Sequence, residues 1–494
     1  SGPSNPKVSA FHAGFRYDVT LLPTSGTAAN RTNEVGNFNL NNGTYVLQAA
    51  SPPCSNTVGA PCIPGGSLPQ HVIVSNSGHL LNNTYDNFQP RIGLAYRLNS
   101  NTALRASFGR FFDNWAGVTQ EGAIYAESWP SVGALGVGSV NLTYPTVSAQ
   151  NPLGLGSGPI LPASSPFGSV FPGVNPLSQD AYSDQWNIGF QRQIGLNTVF
   201  SMNYVGSHDS RLPLFLSQNV ALAPGPGDPQ QRAPFPYMVA QPYTQSWGRS
   251  DYNALEVSMN RETRKGLTYN LSYTWSKTMD IGCDGYYSFC SIQDPNHWAN
   301  NKSVAGFDLP NIFSASWVYQ LPYGKGMKWN SDNRLVSGIL GGWQLNGILF
   351  LSSGQPYSIG TSGDIANIGN VLLGGAGIGG AERPNLVGDP SLSSPTPAEW
   401  FNAQAFANPA PFTFGNLGRN TLRTAWDKNL DLSIFRLFPL SETKSLEFRF
   451  EAFNSTNTPV FGIPDNIVSD PTFGTVSNTA NTERELQFAL KFYF

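Results

Sequence analysis

Residues 482–494 read TERELQFALKFYF. Leu486, Phe488, Leu490, Phe492 and Phe494 occupy every second position, and Gln487, Ala489, Lys491 and Tyr493 lie between them. Successive side chains of a strand point to opposite faces, so this segment is a strand with one apolar and one mixed polar face. A soluble protein rarely exposes an end of this kind. A transmembrane β-barrel requires it: apolar toward lipid, polar toward the lumen, aromatic at the interface.

Composition points the same way. Charged residues make up 12% of the 494, against about 25% in soluble domains. Such a chain would solvate a globular surface poorly. The 31 Phe, 19 Tyr and 11 Trp are too many for a disordered chain. A barrel reconciles the two, because its apolar residues are dispersed in alternation. The net charge of −3 gives no indication of nucleic acid. No apolar run approaches the ~20 residues of a spanning helix, but a barrel strand needs only about 10.

Working back from the terminal strand, helical periodicity is nearly absent and strand pairs recur. Residues 11–20 form a first strand, with an irregular continuation near 44–48. Hairpins follow at 87–98 with 102–112, 183–193 with 197–205, and 251–262 with 266–277. Two more pair 307–321 with 336–351, and 426–438 with 443–454. The cleanest alternation is in 267–276, where Leu267, Tyr269, Leu271, Tyr273 and Trp275 interleave with Thr268, Asn270, Ser272, Thr274 and Ser276.

Short turns alternate with long loops rich in Gly, Pro, Ser and Asn. Barrels of the outer membrane have short periplasmic turns and long extracellular loops. Counting back from Phe494 puts every short turn on the periplasmic side. The expected fold is therefore an all-β, antiparallel outer-membrane barrel. We count about twelve strands from residue 87 onward plus the first, or about 12–14 in the chain. An odd number with no N-terminal partner implies missing strands, so the terminal strand would be left as an open edge. The opening SGPSNP lacks the basic and apolar regions of a signal peptide. The expectation is a processed chain or a fragment.

The polar face nominates lumen-facing charges: Arg91, Arg97, Arg105, Glu256, Glu447, Arg449, Glu451 and Lys491. Glu447 and Glu451 are close enough to suggest acid–base chemistry, but charges in a ladder pair with neighbouring strands or hold a plug. Cys54 with Cys62 and Cys283 with Cys290 are locally paired in loops and read as disulfides facing an oxidising space. Their spacings fit no common zinc pattern.

The remaining candidates read as structural. The GAGIGG at 375–380 contains G-x-G-x-x-G, but no helical period follows it, so it reads as a loop. The histidines (His12, His71, His79, His208, His297) are scattered and form no catalytic grouping. Asp280, Asp284 and Asp294 lack the order of a calcium loop. Trp115, Trp129, Tyr286, Tyr287 and Trp298 suit either ligand stacking or packing. No cofactor or metal is expected, and the chain is not expected to be an enzyme.

A series of segments resembles the C-terminal barrel of Oar-like TonB-dependent transporters. They are NFQPRIGLAYR (87–97), QWN and QRQ (185–187, 191–193), NYVGS (203–207), YNAL (252–255) and SYTWSK (272–277). They continue with LPYGKG (321–326), GWQLNG (342–347), SGQPY (353–357), FGNLGRN (414–420) and EFRFEAFN (447–454). Each is weak alone, and their fixed order over most of the chain is specific. The resemblance implies a full-length protein with an N-terminal regulatory-like β-sandwich, a TonB-contacting segment and a plug. None of these is visible here, so residues 1–494 would be the C-terminal part of the barrel. It also implies that Phe488, Leu490, Phe492 and Phe494 are the signal read by the barrel-insertion machinery. The expected function is uptake of an unidentified substrate across the outer membrane, powered through TonB. The alternative is an adhesion or ligand-binding barrel that acts through its loops without transport. Expected partners are outer-membrane lipid, the insertion machinery, TonB through the missing N-terminal part, and the ligand.

Overall fold

The computed structural model describes residues 9–22, 35–113, 122–126, 128–131, 161–195, 197–263, 266–281, 292–324, 327–329, 333–370 and 382–494. Twelve long strands run through one antiparallel sheet in chain order. They are β1 (Ser9–Thr20), β2 (Thr84–Asn99), β3 (Thr102–Asp113), β4 (Ala181–Ile194), β5 (Thr198–Gln218) and β6 (Gln241–Arg261). The others are β7 (Leu267–Asp280), β8 (Asn311–Gln320), β9 (Trp343–Ser352), β10 (Asp427–Pro439), β11 (Ser445–Phe453) and β12 (Glu485–Tyr493). Two two-residue strands, Gly173–Val174 and Ser303–Val304, pair onto β6 and β7. Each long strand pairs with its sequence neighbour. The sheet is open: β1 and β12 are its edges, and no ladder joins them among the described residues.

The twelve long strands fall within the expected 12–14. Two expectations are corrected. Residues 336–342 are not strand: a helix, α1 (Arg334–Leu340), precedes β9. Val336, Ile339 and Leu340 recur at helical spacing, and Gly341 with Gly342 ends the helix before alternation begins. Residues 44–48 do not continue β1. Thr44–Leu47 joins Gly36–Asn39 and Val72–Val74 in a small separate sheet.

Strands β5 and β6 also run well past the expected 197–205 and 251–262. They stay paired to Gln218 and Gln241, through a register break at Gln245, Gly248 and Arg249. Alternation of apolar and polar residues fades there, which is why the sequence reads as loop.

Register propagates one face across the whole sheet, because directly opposed residues share a face. The apolar face includes Phe15, Ile92, Phe108, Ile188, Met202, Val257, Leu271, Trp317, Leu349, Leu432, Phe450 and Phe488. Much of it is exposed; Phe15 and Phe488 keep 68% and 69% of their surface. Charged residues enter this face only above and below its central rows, among them Arg110 on β3, Asp184 and Arg192 on β4, Asp251 and Arg261 on β6, Lys277 on β7, and Lys428 and Arg436 on β10. At about 3.3 Å per residue and the usual barrel tilt, they bracket an apolar band roughly 20–25 Å tall. That is the hydrocarbon thickness a barrel must match.

Tightly buried apolar residues lie mainly beyond the band, in the long loops. One loop core joins Phe38, Tyr45, Leu47, Trp129, Phe167 and Tyr243. Its polar tips are satisfied: Tyr45 Oη donates to the Trp129 carbonyl at 2.8 Å, and Tyr243 Oη donates to the Phe38 carbonyl at 2.9 Å. A second joins Tyr357, Ile359, Phe401, Phe406 and Leu417. A protein whose sheet face is bare and whose loops carry the cores is built for a membrane, with folded loops standing outside it.

Candidate functional site

The polar face of the sheet is the first site the sequence nominates. The ladders place Arg91, Arg97, Arg105, Glu256, Glu447, Arg449, Glu451 and Lys491 all on it. They do not converge. Arg91 lies opposite Gly14 and Gly109, with its guanidinium 4.4 Å from the Phe111 ring centre. Arg97 donates to the carbonyls of Asn99 (3.3 Å) and Ser100 (3.1 Å) at the turn. Arg105 stands between Ala95 and Gly189, and Glu256 between Asn203 and Thr274. Glu447 faces Lys491, pairs with Arg449 and accepts from Tyr493 Oη at 3.1 Å. Arg449 also lies 4.5 Å from the Phe435 ring centre.

The face is polarised in charge. Its β1–β3 part carries Arg16, Arg91, Arg97 and Arg105 against Asp18 and Asp113, while its β6–β10 part carries Glu256, Asp427 and Asp431. On the acidic side a concavity of about 580 Å³ is lined by Asn260, Asn270, Ser316, Asn346, Asp431 and Glu451, among others. Asn346 Nδ2 donates to Ser433 Oγ at 3.2 Å across the ladder. Val318, Ile348 and Phe453 also line it, so the concavity mixes amides, hydroxyls and carboxylates with exposed apolar side chains.

The remaining nominated residues fall elsewhere. Cys54 and Cys62 are joined by a disulfide in the loop after β1. Cys283 and Cys290 lie outside the described residues, as do the glycine-rich 375–380, Trp115, Asp284, Tyr286 and Tyr287. Phe488, Leu490 and Phe492 line the apolar face of β12; Phe494 follows, 92% exposed, and its ring stacks on that of Phe492 at 5.9 Å. Trp129 is buried in a loop core, and Trp298 stacks on Trp247 at 5.4 Å. Asp280 forms a buried ion pair with Arg419, and Asp294 caps the turn that follows it. Among the described residues no cluster of His, Cys, Asp and Glu could hold a metal.

Some polar residues escaped the sequence reading. In the loops, Arg383 is buried and donates to the Leu417 carbonyl (2.8 Å) and Asn301 Oδ1 (2.9 Å). Glu382 beside it accepts from the backbone N–H of Ile365 (2.7 Å) and Ala366 (3.1 Å). Burial pushes its carboxyl up to about 7 despite those bonds. His208, which the sequence leaves isolated, has partners along and across the ladder. His208 Nδ1 is 2.6 Å from Asp251 Oδ1, and His208 Nε2 is 3.1 Å from Ser210 Oγ. Ser and His two residues apart share a face of one strand, and the ladder sets Asp251 opposite His208. Only the strand register, which the sequence alone does not supply, could reveal that grouping.

The open sheet, the apolar band and the polar opposite face define a transmembrane β-barrel protein. The chain belongs to the outer membrane beta barrel domain family, whose model matches residues 10–487, and its location is the outer membrane. No curated protein matches the sequence. Solved structures resemble the chain at low identity. The outer membrane transporter YddB from Escherichia coli is 10% identical with a TM-score of 0.42, covering 83% of this chain and 41% of that one. The siderophore receptor PiuA from Acinetobacter baumannii is 8% identical with a TM-score of 0.39, covering 83% and 36%. The ferripyoverdine receptor of Pseudomonas aeruginosa is 9% identical with a TM-score of 0.39, covering 84% and 34%. This chain therefore spans well under half the length of those proteins.

Proposed function

We propose that this chain is the C-terminal part of a TonB-dependent transporter barrel of the Oar-like type. Its polar face is the wall past which a substrate enters, and its long loops face the exterior. The observation that carries this reading is the single polar face, continuous over twelve strands, set against an apolar band of membrane height. The two free edges support it further. An open edge is not tolerated in hydrocarbon, so additional strands would close the sheet between β12 and β1. A plug and a TonB-contacting segment would lie with them. The basic and acidic halves of the polar face would then hold the plug and orient the solute.

The full-length protein tests this. We expect it to be retained on an immobilised periplasmic domain of TonB and to form a closed, non-conducting barrel in planar bilayers. Deletion of the segment preceding these strands should open a pore. Failure to bind TonB together with constitutive conductance would overturn transport. It would leave the alternative, a surface ligand-binding barrel acting through its packed loops.

A further inference from the structure

The Ser210–His208–Asp251 array lies on the lipid side of the sheet, not on the transport side. Asp251 is an acceptor, so His208 Nδ1–H donates to it at 2.6 Å, and Nε2 is left to accept from the Ser210 hydroxyl at 3.1 Å. Lys302 Nζ holds the second carboxylate oxygen at 2.8 Å, which fixes Asp251 against rotation. Nucleophile to base and base to orienting carboxylate both lie within the distances of a nucleophilic triad. A histidine that merely satisfied a ladder would need one partner. This one is held at both nitrogens, in the order an acyl-transfer site uses.

Position identifies the substrate class. Register puts His208 between Asp184 and Asp251, and Ser210 between Tyr182 and Arg249. One step along the strand toward the band, Gly206 lies between Trp186 and Asn253; the next, Tyr204, lies between Ile188 and Leu255. The array thus sits on the first rows beyond the apolar band, at its long-loop end. That is the depth at which a lipid's ester carbonyls lie, with acyl chains below and headgroup above. Arg249, exposed and directly across from Ser210, and the exposed Lys302 give that headgroup two cations. The ladder skips Arg211, which takes a left-handed φ of 59°. Such a bulge beside a strand re-aims neighbouring groups and is common next to active sites.

We propose that Ser210, His208 and Asp251 form a hydrolase site for the acyl esters of a phospholipid in the adjoining leaflet. Ser210 Oγ attacks the ester carbonyl carbon as its proton passes to His208 Nε2. The C–O bond to the glycerol oxygen then breaks, and His208 returns the proton to that oxygen, releasing lysophospholipid. Water attacks the acyl-serine and gives its proton to His208. The Ser–acyl bond breaks, Oγ regains the proton and a fatty acid leaves. Asp251 is a positioning residue that keeps the tautomer and steadies the imidazolium. The inference is independent of transport and rests only on the membrane-spanning sheet.

The test uses the full-length protein folded into phosphatidylglycerol vesicles, with heat-modifiable gel mobility to verify folding. We expect a fluorophosphonate probe to label Ser210, located by mass spectrometry, and fatty acid to be released from the vesicles. Ser210→Ala should abolish labelling, and Ser210→Ala or His208→Asn should lower release by roughly a thousandfold or more. Asp251→Asn should lower kcat with little change in KM. Folded wild-type protein that neither takes the probe at Ser210 nor releases fatty acid would overturn the proposal. So would cleavage of a soluble ester with the vesicles untouched, or full activity in folded Ser210→Ala.

Discussion

Glu447 faces Lys491 directly across the β11–β12 ladder while Arg449 grips it from along its own strand. Tyr493 Oη donates to Glu447 at 3.1 Å and ties the terminal strand to the sheet on the polar face, and the rings of Phe450 and Phe488 meet at 4.8 Å on the other. Glu447→Lys sets a cation opposite Lys491 and beside Arg449. We expect it to loosen β12 by about 1 kcal/mol, given partial solvent screening. The check is the temperature at which heat-modifiable mobility is lost. It should fall for Glu447→Lys and recover in the Glu447→Lys, Lys491→Glu double variant.

Leu432 and Ser433 are sequence neighbours on opposite faces of β10. If Leu432 faces hydrocarbon, Leu432→Arg should cost about 2–4 kcal/mol near the bilayer midplane. Ser433→Arg should be nearly neutral. Denaturant unfolding from vesicles measures both. Equal costs would contradict the assignment of the two faces.

Gly347 lies opposite Trp317, whose ring covers its backbone so closely that any added Cβ would collide with ring carbons. Gly347→Val must therefore displace the indole, and we expect a loss of about 1–3 kcal/mol. Trp317→Leu should remove much of the penalty, because the clash depends on the ring. A double-mutant cycle on refolding stability would show the coupling, and additive effects would rule it out.

Glu382 titrates at about 7 because burial disfavours its charge. Its folded pKa is raised above the ordinary carboxylate value, so the folded loop holds the proton more tightly than the unfolded loop does. Stability is therefore highest at low pH, declines as pH rises from about 4.5 toward about 7, and stays at the lower level above that. Limited proteolysis of the loop between β9 and β10 should be slower at pH 5 than at pH 8. Glu382→Gln should flatten the profile. An unchanged profile in that variant would assign the pH dependence to another group.

Legibility followed the length scale of each interaction. The alternation in 267–276 and 482–494 is local, and those segments are strands where expected. Val336 to Leu340 is less legible, because an apolar recurrence this short fits either a helix or the start of a strand. Strands β5 and β6 were cut short because above the apolar band no lipid enforces the alternation. The polar-face charges were readable one strand at a time, as each needs only its own parity. The His208 array was not, because Asp251 lies 43 residues away and meets His208 only through register.

The sequence by itself determined the class of fold and the two faces of each strand, since parity and turn chemistry act between near neighbours. Tertiary structure alone decided which strand residues stand opposite one another, and so joined twelve separate polar stripes into one wall. It also decided that Ser210, His208 and Asp251 meet at the edge of the apolar band. A short turn fixes register locally, but across a long loop such as that between β5 and β6 parity fixes only the face a residue takes, not its partner.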